Sequence, residues 1–431
     1  MKNFPEFIKN CTDAWHTADT VAKQLSANGF IPLNEEDTWN LTTGGKYYVM
    51  RNMSSVIAFK VPEFDFKGFT ISAAHGESPS FKIKVNPTCT DNNYIRLNTE
   101  VYGGPILSSW LDRPLSVSGR VVIKTNNGLE SRLVNLGDNS VVIPSLAPHL
   151  DPSSKNGTDL NIKRDMPPLF AITKDNISFM KEIANATETR EENIAGFDLM
   201  LYNKEDAILW GTDNEFISAP RLDDLQCTFA LLNGFVDGDN PNTVQVFCVF
   251  DNEEVGSGTK QGAKSNFLST TLVRINQCCG GDFETHHKRL ANSFMVSADN
   301  AHAIHPNRKE MSDANNCPEM NKGVVIKYNA SQRYTTDGVS EAIFKSICEE
   351  ADVPYQAYAN RSDISGGSTL GNIATEKTSV NTIDIGLAQL SMHSAYETAG
   401  TRDIAFLERA IAKFYNSCIE KSGCNYRISY K

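Results

Sequence analysis

The residues Val244-Gln245-Val246-Phe247-Cys248-Val249-Phe250 form a nearly unbroken apolar run that stops at Asp251-Asn252-Glu253-Glu254, followed by Val255-Gly256-Ser257-Gly258. A short β-rich run closed by polar residues and glycine predicts a buried strand ending at a loop. The pattern recurs along the chain. Phe69-Thr70-Ile71-Ser72-Ala73-Ala74 runs into His75-Gly76-Glu77, and Ser293-Phe294-Met295-Val296-Ser297-Ala298 runs into Asp299-Asn300-Ala301-His302. Residues 380–385 lead through Gly386 toward His393, and Val324-Val325-Ile326 leads into Lys327. Apolar residues three and four apart predict one amphipathic helix through Phe7, Ile8, Cys11, Ala14, Trp15, Ala18, Val21, Ala22 and Leu25, capped by Gly29. The same spacing predicts a C-terminal helix through Ile404, Leu407, Ile411, Phe414 and Cys418, and residues 225–232 are helix-like.

Between the His75 and Asp223 stretches the texture changes. Residues 121–125, then Asn126-Asn127-Gly128, then residues 129–136 predict a β-hairpin, for which Asn-Gly is a strong local signal. A polar stretch with two prolines follows over 151–168. This predicts a β-rich domain over 86–212, inserted into an α/β catalytic domain made of 1–85 and 213–431.

Composition narrows the partners. The chain has 431 residues, 40% hydrophobic and 22% charged, as expected of a globular protein with a substantial core. Its net charge of −11 disfavours nucleic acid or an anionic membrane surface as partner. No apolar stretch approaches the ~18 residues of a membrane span, and the N-terminus lacks a signal-peptide pattern. Ten scattered cysteines without metal-type spacing predict mostly buried thiols of a reducing cytoplasm.

Chemistry is concentrated at the strand ends. In open α/β sheets ligands gather at the carboxyl ends of strands, and two adjacent carboxylates such as Glu253-Glu254 repel unless a cation lies between them. Ala219-Pro220-Arg221-Leu222-Asp223 adds another carboxylate ahead of a helix. Histidine and carboxylate ligands without cysteine suit zinc, cobalt or manganese. Other motifs carry less. Gly258-Thr259-Lys260-Gln261-Gly262-Ala263-Lys264-Ser265 does not fit phosphate-loop spacing, and His302 and His305 are three apart rather than the four of a zinc-protease helix. His16, His286 and His287 read as surface or packing residues, and Asp112-Arg113 as a structural ion pair or an interface feature.

With GGKYYVMRN (45–53), AHGESP (74–79), YGGPILSSWLDRPLSVSGRV (102–121), IPSLAPHL (143–150), APRLDDL (219–225), DNEEVGSG (251–258), SADNAHAIHPN (297–307), VVIKYNASQRY (324–334) and DIGLAQLSMHS (384–394), the chain resembles the M18 metalloaminopeptidases, the aspartyl aminopeptidase group. The resemblance covers nearly the whole chain. It implies a metallopeptidase domain with a central mixed sheet flanked by helices, and an inserted domain that mediates dimerisation within a tetrahedral homododecamer. It implies two divalent ions, zinc foremost, one held by His75, Asp223 and Asp299 and the other by Asp223, Glu254 and His393. Glu253 is then the general base, Lys327 faces an acidic substrate side chain, and His149 reaches a neighbouring subunit's site; His302 and His305, read from the residues alone, either line the site beside Asp299 or are structural. Where the family carries His-x-Asp, this chain has His75-Gly76-Glu77, so the supporting carboxylate is one methylene longer.

Three functions follow for comparison. The leading one is a two-metal aminopeptidase acting on peptides with Asp or Glu at the N-terminus. A related enzyme preferring neutral N-terminal residues would use Lys327 as a structural ion-pair partner, and a weakly active shell assembly would keep its metals for stability.

Overall fold

The computed structural model describes residues 3–63, 65–138, 141–152, 159–173, 177–367 and 369–431. Its centre is a nine-stranded mixed sheet. In spatial order the strands are Ile31–Leu33, Lys46–Arg51, Ser55–Lys60, Thr243–Phe250, Gly68–His75, Phe294–Ala298, Asn381–Gly386, Val324–Tyr328 and Tyr355–Ala359. The four central strands, from Thr243–Phe250 to Asn381–Gly386, are mutually parallel, so their carboxyl ends share one edge. All eight residues of Thr243–Phe250 and of Gly68–His75 are buried, as continuous apolar runs in a covered sheet should be.

Strand alternation divides the interior. Phe69, Ile71, Ala73, Val244, Val246 and Cys248 face one core with the helices Phe267–Cys278 and Leu370–Thr378. Ala74, Phe247 and Val249 face the other, beneath Leu222–Asp237, Gly338–Glu350 and Asp403–Tyr415. Ser72 lies on that second face and meets the Tyr415 hydroxyl at 2.6 Å, which satisfies a polar group inside an apolar layer.

A six-stranded antiparallel sheet, built from strands between Ser80 and Asn203, has its own core around Phe81, Trp110, Val117, Val121 and Leu199. The hairpin pairs Thr125 with Gly128 across Asn126-Asn127. Its pairing starts at Ser80 and ends at Asn203, whereas the sequence texture put the change at 86 and 212. The strand Ile208–Trp210 pairs instead with Phe216–Ala219, in a third sheet.

Two helices differ from expectation. The N-terminal helix is broken into Phe4–Asn10 and Ala14–Ala27, because Asp13 caps the second by accepting the His16 N–H at 3.0 Å and its backbone carbonyl accepts from Thr17 Oγ1. Gly29, at φ 82°, ends the second helix in the left-handed region, and Phe30 N–H reaches the Leu25 carbonyl at 3.1 Å. The C-terminal helix stops at Tyr415, so Cys418 belongs to the strand Ser417–Ser422. Among the described residues no helix is long and apolar enough to cross a membrane, and all ten cysteines are unpaired.

Candidate metal centre

The parallel strand ends deliver the first groups. His75 is the last residue of its strand, Glu253 and Glu254 sit in a single helical turn just past Phe250, and Asp299 follows Ala298. Gly386 ends the neighbouring strand, where a Cβ would lie 1.9 Å from the Asp299 carbonyl oxygen, so only glycine lets the two strand ends approach. Asp223 enters from the start of the helix Leu222–Asp237, after a turn at Arg221 with φ 57°. His393 comes from the loop between Ala388–Leu390 and Glu397–Gly400.

These residues converge. Asp223 Oδ1 lies 3.6 Å from His75 Nε2, and Asp223 Oδ2 lies 3.7 Å from His393 Nε2. Asp299 Oδ1 is 4.0 Å from His75 Nε2, and Glu254 Oε2 is 3.5 Å from His393 Nε2. Donor atoms of His75, Asp223 and Asp299, and those of Asp223, Glu254 and His393, lie within 4.8 Å of one another; so do those of His75, Glu253 and Glu254. The first two triads share Asp223, one oxygen to each, and the third reuses groups that they already contain apart from Glu253.

Ring orientation follows from the far nitrogens. His75 Nδ1 lies 3.0 Å from the Glu77 carbonyl oxygen, and His393 Nδ1 lies 3.0 Å from that of Gly104. A backbone carbonyl accepts only, so each Nδ1 donates its N–H there and each Nε2 is the nitrogen left facing the carboxylates. Glu77 Oε1 accepts the Glu254 N–H at 3.1 Å and the Tyr102 hydroxyl at 3.3 Å, so the longer side chain reaches both the turn bearing Glu254 and the six-stranded unit.

The charge balance is lopsided. Burial raises the Glu254 carboxyl well above its usual range, with Asp223 adding to the effect, and pushes Glu253 up to about 8 with Asp299, Glu77 and Asp223 contributing. Asp224 is likewise raised by burial and by Asp299 and Asp223. Burial also works against ionised Asp223, but the facing His75 ring, with the charges of His393 and Lys327, holds it below the ordinary carboxylate value. A divalent ion fits these residues on two counts. Asp223 Oδ1 is buried without a hydrogen-bond partner among the described residues, and His75 at 3.6 Å is too distant to satisfy it. Ligand atoms about 2.1 Å from a tetrahedral zinc stand about 3.4 Å apart, close to the spacings seen here.

Other candidates sit around this centre. Lys327 is 2% exposed, donates to the Asn300 carbonyl at 3.0 Å and lies 3.6 Å from Asp299 Oδ2. His302 lines the same cleft with Tyr334 and Tyr358 and is accessible at its mouth although protein surrounds most of the ring. His149 is not brought to the cleft within the chain; it lies in the exposed segment 144–150. His305 lines an adjoining pocket, and His16 pairs with Asp13 at 2.7 Å. Arg113 pairs with Glu205 at 2.6 Å rather than with Asp112, whose carboxylate accepts the Ser145 N–H. Sequence reasoning missed Glu397, Tyr102 and Gly104. Only Glu397 left a signal, a carboxylate four residues after a candidate ligand.

Comparison with known proteins gives the following. Residues 7–415 match the family model described as Aminopeptidase I zinc metalloprotease (M18). A Clostridium acetobutylicum protein named Probable M18 family aminopeptidase 2 is 44% identical over 432 residues, covering 96% of this chain and 100% of that one. A Pseudomonas aeruginosa protein of the same name is 36% identical, covering 96% and 97%. Among solved structures, the cryo-EM structure of the Ape4 and Nbr1 complex superposes with a TM-score of 0.93 at 33% identity, covering 96% of this chain and 85% of that one. The S. cerevisiae mApe1 dodecamer gives 0.84 at 25% identity, covering 96% and 95%.

Proposed function

The chain belongs to the M18 family of zinc metalloprotease aminopeptidases, and from that premise we propose that it releases acidic N-terminal residues from peptides at a two-metal site, with Glu253 as the base. The observation that carries the two-metal reading is Asp223, whose two oxygens face different imidazoles at 3.6 and 3.7 Å. His75, Asp223 and Asp299 would hold one ion, and Asp223, Glu254 and His393 the other. Bound zinc would polarise the scissile carbonyl and acidify the attacking water.

Glu253 stands in the same turn as Glu254 but outside both triads, so it is free to take a proton from water and return it to the leaving amine. Lys327 supplies positive charge on the cleft wall for the carboxylate of an aspartyl or glutamyl side chain.

The six-stranded unit, in this reading, joins copies into a homododecamer of dimers, in which His149 approaches a neighbour's cleft. The exposed apolar side chains of Val85, Leu129, Leu146 and Leu150 on that unit support this. The unpaired cysteines suit a cytoplasmic location.

The deciding experiment is steady-state cleavage of α-aspartyl, α-glutamyl and leucyl amides before and after chelation, with zinc counted per chain. Two zinc ions and a preference for the acidic amides are expected; a preference for the leucyl amide would replace this substrate class with the neutral one.

A further inference from the structure

Glu397 opens the strand Glu397–Gly400, whose antiparallel register sets it opposite Ala219, just before the turn that leads into Asp223. Its own chain has left His393 four residues earlier. The carboxylate therefore stands between two segments that bring side chains to the metal centre from opposite directions. It is 2% exposed and uses both oxygens: Oε2 accepts the Asp223 N–H at 2.9 Å, and Oε1 accepts the His393 N–H at 2.7 Å. Gln389 Nε2, at 3.5 Å from Oε1, steadies the side chain from a third segment.

We infer that Glu397 is a positioning residue that fixes the spacing between Asp223 and His393, and with it the affinity of the centre for zinc. The inference rests on the two-metal reading above. It follows from geometry: His393 has φ 68° and is half-buried, its ring is held by the Gly104 carbonyl and its carbonyl by the Ile106 N–H, and Glu397 is the group that takes its N–H and ties it to Asp223. Two N–H donors converging on one side chain need two acceptors. Glutamine offers one acceptor and one NH₂ group, so it must leave one N–H facing another donor. Aspartate keeps the charge but is too short by one methylene to reach both.

A merely structural role must be separated from a positioning one, and the fold supplies a matched control. Asp403 is also a buried carboxylate that accepts two backbone N–H groups, from Asn321 at 2.6 Å and Gly323 at 2.9 Å, at the start of the C-terminal helix away from the cleft. Zinc Kd is measured by chelator competition on the full-length protein for wild type, Glu397→Gln and Asp403→Asn, with melting temperatures and kinetics in parallel. Both variants are expected to melt earlier. Glu397→Gln raises zinc Kd at least ~10-fold and lowers kcat with KM little changed, whereas Asp403→Asn leaves zinc Kd within about 2-fold. Wild-type zinc affinity in Glu397→Gln, or an equal loss in Asp403→Asn, overturns the inference. If Glu397→Gln is recovered only as aggregate, Glu397→Asp is read by the same criteria. Failure of the two-metal reading shows differently, as a wild-type chain that binds a single zinc ion.

Discussion

Lys327 Nζ lies 3.6 Å from Asp299 Oδ2, with the lysine 2% and the aspartate 13% exposed. The cation proposed to select acidic substrates is therefore shared with a carboxylate of the metal centre. Burial alone would favour neutral lysine, but Asp299, with smaller contributions from Tyr334 and Asp384, holds the ammonium charged. Selecting a second carboxylate then needs no new protonation, only a share of a charge already present.

Replacing Lys327 with methionine keeps the volume and removes that charge. We expect kcat/KM for aspartyl and glutamyl amides to fall at least ~10-fold relative to the leucyl amide, because an unpaired desolvated carboxylate costs several kcal/mol. Equal losses on all three amides, measured side by side, would show that Lys327 serves only to hold Asp299.

Glu253→Gln is expected to retain near-native zinc while losing at least ~10²-fold in kcat, since glutamine cannot carry the proton. Inductively coupled plasma mass spectrometry alongside turnover decides the matter. Loss of zinc would move Glu253 into the ligand set with His75 and Glu254, the third grouping that the geometry allows.

Asp223→Ala is expected to reduce zinc at both positions, because this carboxylate faces both imidazoles. Retention of one full equivalent per chain would exclude the shared ligand.

The Asp13–His16 pair predicts a pH dependence of stability. Burial works against charging either group, yet each raises the other's tendency to ionise, so His16 lies above its ordinary value and Asp13 below. Stability from the raised histidine is complete below about pH 6.5 and is lost as pH climbs through the higher folded-state pKa; that from Asp13 is present above about pH 3.9 and is lost on acidification through its lower one. The stability gap between wild type and His16→Gln, each loaded with zinc, should therefore shrink between pH 6 and pH 9. A constant gap would mean the ring acts by packing alone.

The strand runs and the histidine and carboxylates at their ends were legible because burial on both faces and the arrest at a polar loop are local in sequence. The break at residues 11–13 was not, because Asp13 caps a helix that the apolar spacing carries straight through. Cys418 continued the helical spacing, yet its backbone pairs with Ser429. Glu397 left only its spacing from His393; its bond to Asp223, 174 residues away, runs through a strand register that periodicity does not encode. Tyr102 and Gly104 act by a hydroxyl and a carbonyl of the six-stranded unit's edge, for which side-chain chemistry leaves no mark.

That Gly104 carbonyl has a wider meaning. It turns the His393 ring, and the Ile106 N–H two residues on binds the His393 carbonyl at 3.0 Å, while Ala395 N–H donates to Ser109 Oγ at 2.8 Å. A proposed metal ligand of one unit thus owes the aim of its ring to the other. A chain in which one of the two units is unformed lacks the Gly104 and Ile106 contacts that set this histidine, so the site is completed only where both units are folded against each other.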